Sequence, residues 1–124
     1  MSVPILKQGD CLIASVQTSL TDSEVLRLRD DLAEQIGKYR SRGIVLDVAG
    51  LDVIDSFVAR SLRTIAMTAS LRGARTVIVG IQPDVAVAMV QFQLNLEPLR
   101  TALDLEEGLE VLKCPSGAED IDER

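Results

Sequence analysis

Ser56 is the residue of greatest chemical interest in this chain. It closes the stretch Gly50-Leu51-Asp52-Val53-Ile54-Asp55-Ser56, a loop that feeds a segment with helical patterning. A hydroxyl at such a junction has two uses. It can accept from an amide of the first helical turn as an N-cap, or it can receive a phosphoryl group where the unpaired amides and the positive end of the helix dipole suit an anion. Judged on the residues alone, the cap is the favoured role. Asp52 and Asp55, three positions apart, could converge on a hard cation, but two carboxylates make a poor oxygen cage, so loop solvation is expected of them.

Asp47 ends an apolar run, a placement that invites comparison with the phosphate-accepting aspartate of bacterial receiver domains. Such a site also needs an acidic pair after the first strand and a lysine after the last. Neither is supplied near Gly9-Asp10 or Thr101-Ala102, so a receiver-like domain phosphorylated on Asp47 is a minor alternative and Asp47 is expected to turn a loop. Histidine is absent, which removes Ser-His and Cys-His nucleophilic catalysis and histidine-based zinc sites. No G-x-G-x-x-G follows a strand and no G-x-x-x-x-G-K-[ST] occurs. A binding protein is expected, not an enzyme, with no cofactor and no metal. Cys11 lies inside an apolar strand-like run and Cys114 in a polar tail; they are expected to be unpaired thiols in a reducing compartment.

Thirteen basic against nineteen acidic side chains leave a net charge of −6. That balance opposes docking on nucleic-acid phosphates or anionic lipid headgroups, so a protein partner is expected. The N-terminal residues lack a basic n-region with a sustained apolar stretch, and no run of about 18 apolar residues occurs, so a cytoplasmic location is expected. The 124 residues suit one domain, with a core built from aliphatic side chains because aromatics make up only 2%.

The elements that must position Ser56 follow from periodicity and turn chemistry. Val3 to Lys7 and Cys11 to Val16 read as a hairpin about Gly9-Asp10. Thr21-Asp22-Ser23-Glu24 is a capping box opening a helix whose Val25, Leu28, Leu32, Ile36 and Tyr39 share one face, with Gly43 expected as its C′ residue. Ile44 to Val48 reads as a central strand. After the Ser56 loop, Val58, Leu62, Ile65, Ala66 and Ala69 mark a second helix, ended by Gly73. Thr76 to Val79 is another buried strand. Gln82-Pro83-Asp84 opens a third helix with Pro in the first turn, and Val85, Val87, Met89, Val90 and Phe92 are expected to carry its apolar surface. A short strand near Leu99 to Ala102 leads to the cap signature Asp104-Leu105-Glu106-Glu107 and a final helix through Leu112. Residues 1–113 are therefore expected to form one α/β domain with a mixed, mainly parallel sheet and about four helices, and residues 114–124 a disordered acidic tail.

Three segments taken together, Asp52-Val53-Ile54-Asp55-Ser56-Phe57-Val58-Ala59, Gly80-Ile81-Gln82-Pro83 and Thr101-Ala102-Leu103-Asp104-Leu105-Glu106, resemble the STAS domains of the stressosome, relatives of the anti-sigma-factor antagonists. The resemblance runs from Pro4 to Leu112. It implies a serine phosphorylated at the start of the second helix, here Ser56, with Asp52, Asp55 and Phe57 in the supporting loop. It also implies sequestration of an RsbT-type serine kinase in a many-subunit assembly with RsbR-type STAS proteins, self-association, and kinase release on phosphorylation. Phe57 departs from the small residue common after the serine in the free anti-sigma-factor antagonists, which makes direct antagonism of an anti-sigma kinase the alternative.

Overall fold

The computed structural model describes residues 3–17, 20–93, 96 and 99–114. Along them the chain forms β1 (Ile5–Gln8), β2 (Cys11–Ser15), α1 (Asp22–Tyr39), β3 (Gly43–Asp47), α2 (Ser56–Leu71), β4 (Arg75–Val79), α3 (Pro83–Gln91), β5 (Arg100–Ala102) and α4 (Leu105–Leu112). The expected acidic tail, apart from Cys114, lies outside the described residues.

Strand composition dictates the sheet. β2, β3 and β4 are almost continuously apolar, as strands covered on both faces must be. They pair in parallel, with the antiparallel β1 on one edge and the parallel β5 on the other, in the order β1-β2-β3-β4-β5. Alternation along each strand divides the core. Leu12, Ala14, Ile44, Leu46 and Ile78 join Leu28, Leu32 and Leu62 in the larger cluster, under α1 and α2. Ile13, Val45, Val77 and Val79 point the other way, onto Leu109 of α4. Gly108 permits that close approach: a Cβ there would come 2.5 Å from Val79 Cγ1.

The capping box at Thr21 forms as its spacing predicts. The Glu24 amide donates to Thr21 Oγ1 at 3.2 Å, and the Thr21 amide donates to Glu24 Oε1 at 2.9 Å. Hydrogen bonds from the Thr21 amide and then its hydroxyl hold the exposed Glu24 carboxyl below its ordinary pKa. Its contribution to stability is therefore present above the ordinary glutamate range and is lost as pH falls through the lowered folded value.

Three expectations are corrected. Gly43 does not end α1: Arg40 takes the left-handed C-cap conformation, with its amide on the Ile36 carbonyl, and Gly43 is already the first residue of β3. On α3 only Val85 and Met89 are buried, whereas Val87, Val90 and Phe92 face outward, because the helix is short and touches the core along a narrow strip. The third correction concerns the cysteines, which are neither unpaired nor divided between core and tail. Cys11 and Cys114 form a disulfide with their Cα atoms 6.1 Å apart. The Cys114 amide donates to the Leu109 carbonyl at 2.7 Å, which folds the chain back at the end of α4 and buries the second cysteine beside the first. Cys114, which the expected boundary at 113 left in the tail, is thus tied to the start of β2.

Thr21→Ala is expected to lower stability by about 1 kcal/mol, read as the urea midpoint at neutral pH. Because the bridge closes a loop with a sequence separation of 103, Cys114→Ser is expected to cost about 2 to 4 kcal/mol under non-reducing conditions. The same denaturation series, repeated with and without a strong reductant, checks it: wild type should shift and the variant should not.

Candidate phosphoacceptor site

The loop that delivers Ser56 is held at both ends. Where β3 stops, Val48 continues the ladder by donating to the Val79 carbonyl at 3.0 Å, and Asp47 Oδ1 accepts from the Ala49 amide at 3.0 Å. Asp47 thus turns the chain, as expected. Gly50 passes so close to β2's exit that a Cβ would meet the Gln17 carbonyl oxygen at 2.5 Å. Leu51 and Ile54 then bury their side chains as anchors, leaving Asp52 and Val53 outside. From the neighbouring crossover, the Gln82 side-chain amide donates to the Ala49 carbonyl at 2.7 Å and ties this loop to the start of α3.

Asp55, not Ser56, caps α2. Asp55 Oδ1 accepts from the Val58 amide at 2.8 Å, and the Asp55 carbonyl takes the first intrahelical bond, from Ala59, at 2.9 Å. Ser56 is consequently the first residue inside the helix, exposed, and its hydroxyl has no hydrogen-bond partner among the described residues. This corrects the reading of Ser56 as the cap. A carboxylate outcompetes a hydroxyl for the same orphan amides because it brings negative charge to the positive end of the dipole.

Ser56 lies on a cleft of about 450 Å³ between its loop and α3. Asp52, Asp55 and Asp84 supply three carboxylates to this cleft, and Val53 and Phe92 give it exposed apolar flanks. Asp52, Asp55 and Ser56 are therefore brought together. Phe57 is not: half-buried, it packs on the core and lines a separate cleft between α1 and α2, with Val25, Arg29 and Arg60. Sequence reasoning missed Asp84 and Phe92 as members of the site. The available signal was topological, since loops leaving the carboxyl ends of adjacent parallel strands share one rim of the sheet.

A family model described as the STAS domain matches residues 2–108. The chain belongs to the STAS domain family. Among solved structures, this STAS domain is 36% identical to a serine-to-glutamate variant of Moorella thermoacetica RsbS, with a TM-score of 0.75, covering 90% of this chain and 94% of that one. It is 37% identical, again with a TM-score of 0.75, to a chain in a structure titled the molecular architecture of the stressosome, a signal integration and transduction hub, covering 89% and 96%. Of the curated proteins, the RsbT co-antagonist protein RsbRA of Bacillus subtilis strain 168 is 24% identical over 111 residues. The STAS domain described here spans only 40% of the length of that relative. No helix among the described residues is long and apolar enough to cross a membrane.

The division of labour between Asp55 and Ser56 has a direct consequence for stability. Asp55→Ala is expected to cost about 1 kcal/mol by stripping the cap, whereas Ser56→Ala should change the denaturation midpoint by no more than about 0.5 kcal/mol, the range of an exposed substitution. Chemical denaturation of the two variants side by side measures the difference.

Proposed function

We propose that this STAS domain is a phosphorylation-regulated scaffold and antagonist. In this reading it holds an RsbT-type serine kinase within a stressosome-type assembly built with RsbR-type STAS proteins and further copies of itself. Phosphorylation of Ser56 by that kinase releases it to act on a stress-signalling pathway in the cytoplasm. The observation that carries the reading is the free, exposed Ser56 hydroxyl at the first position of α2, left unoccupied because Asp55 does the capping. Similarity over most of the chain to RsbS and to a stressosome chain supports the assembly. The RsbT co-antagonist similarity supports the kinase class.

The charge pattern makes the switch physically reasonable. Unmodified, the cleft presents the carboxylates of Asp52, Asp55 and Asp84 beside exposed Val53 and Phe92, a surface complementary to a partner with cations around an apolar contact. Phosphorylation adds about −1.5 to −2 charge at neutral pH. The Val58 amide of the helix start already serves Asp55, so the helix offers less to neutralise the added charge, which bears on the partner.

Intact-mass spectrometry after incubation with an RsbT-type kinase and ATP should show one phosphate on wild type and none on Ser56→Ala. Calorimetric titration of the same kinase should give equal affinity for wild type and Ser56→Ala. For Ser56→Asp, an imperfect mimic with one charge, affinity should fall about tenfold, equivalent to about 1.4 kcal/mol. Equal affinities for all three, with unchanged circular dichroism, would place the control point elsewhere.

A further inference from the structure

The disulfide sits at the opposite end of the sheet from Ser56, where three parallel strands begin in line. Cys11 pairs with Gly43, and Gly43 with Arg75. The Arg42 amide donates to the Asp10 carbonyl at 2.7 Å, and the Arg75 amide donates to the Arg42 carbonyl at 3.0 Å. This relay sets Asp10, Arg42 and Arg75 side by side along the rim. Lys113, the C-cap of α4, closes the same rim from above. Together these residues and Cys11 line a cleft of about 320 Å³.

The cleft is cationic in a chain whose net charge is −6. Arg42, Arg75 and Lys113 are exposed, and none has an ion-pair partner among the described residues. Asp10, whose Oδ1 lies 3.9 Å from Cys11 Sγ, is the one opposing carboxylate in the lining. The partial negative charge at the α4 C-terminus offsets only part of the remainder. The disulfide itself is buried, with Cys11 2% and Cys114 9% exposed, and Cys11 lines this cleft.

We propose that the Cys11–Cys114 disulfide is a reversible redox site and that the Arg42–Arg75–Lys113 cleft is its docking site for a small anionic thiol. The incoming thiolate attacks Cys11 Sγ from the cleft, forming a mixed disulfide and expelling Cys114 as a thiolate beside Lys113, where the cation favours that ionised leaving group. A second thiolate attacks the mixed disulfide. The products are the oxidised small-molecule disulfide and two cysteine thiols, so the two electrons come from two equivalents of the thiol. Reduction frees the end of α4, the helix that covers Ile13, Val45, Val77 and Val79. In the cytoplasmic setting of the proposed function, on which this point rests, disulfides are usually transient and redox-sensing.

The test compares thiols of different charge on the full chain. Glutathione, anionic, and 2-mercaptoethanol, neutral, are used as reductants, with the remaining disulfide measured by alkylation and intact mass. Arg42→Gln/Arg75→Gln should slow reduction by glutathione about tenfold, the scale of electrostatic steering, and leave the 2-mercaptoethanol rate within about twofold. Raising salt should erase the wild-type preference. Hydrogen exchange should rise over residues 105–112 after reduction and stay unchanged over 56–60. Isolation of the oxidant-treated chain with both cysteines still alkylatable, or equal slowing of both thiols in the double variant, would overturn the proposal.

Discussion

Parallel pairing of β2, β3 and β4 in one register fixes where every loop of functional interest can be. The three strands begin together at Cys11, Gly43 and Arg75 and finish together at Ser15, Asp47 and Val79. Each crossover must leave at the finishing rim and return at the starting rim. The Ser56 loop and the start of α3 therefore share the finishing rim, held together by the Gln82 to Ala49 bond. The starting rim collects Arg42, Arg75 and the disulfide. A one-residue slip would turn Leu12, Ile44 and Ile78 toward α4 and Ile13, Val45 and Val77 toward α1 and α2, exchanging a large cluster for a small one.

The two faces of that sheet are unequally supported. One is covered by α1 and α2 with Val85 and Met89 of α3, while the other rests on α4, which has eight residues. An isolated helix of that length is well below what is stable in water. Its place is secured by tertiary devices: the Asp104 cap on the Glu107 amide, the bond from the Leu103 amide to Glu107 Oε1, the close approach at Gly108, and the disulfide at its end. Removing the last of these weakens the least supported layer of the domain.

Much of this was legible in the sequence because periodicity and caps are local. The Thr21 box, the Pro83 helix start and the Asp104 cap are each specified by residues three or four apart, and each appears where the spacing puts it. The STAS resemblance, read from the Ser56 loop and two later segments, agrees with the family match over residues 2–108. What escaped depends on distance across the chain. Cys11 and Cys114 are 103 positions apart, and only the packing of α4 across β3 and β4, with the turn at its end, brings them together. Asp84 and Phe92 reach the Ser56 cleft through the sheet order. The choice between Asp55 and Ser56 as cap was local but close, two polar side chains competing for the same amides, and charge decided it.

That decision shapes what a phosphate on Ser56 could do. At an uncapped helix start, a phosphoryl group would be drawn to the free amides and would stabilise the helix. Here Asp55 Oδ1 already holds the Val58 amide, and Asp52, Asp55 and Asp84 surround the position with like charge. A phosphate would gain the Val58 amide only by displacing the aspartate, and would otherwise meet the remaining first-turn amides as an added charge on an acidic rim. Either way its main effect falls on what binds the rim and not on the fold beneath it, because Leu51, Ile54 and Val58 keep the loop anchored whatever the charge outside. A switch of this kind can change partner affinity while leaving the core at its original stability, which lets one scaffold hold its place in an assembly and still release a bound protein.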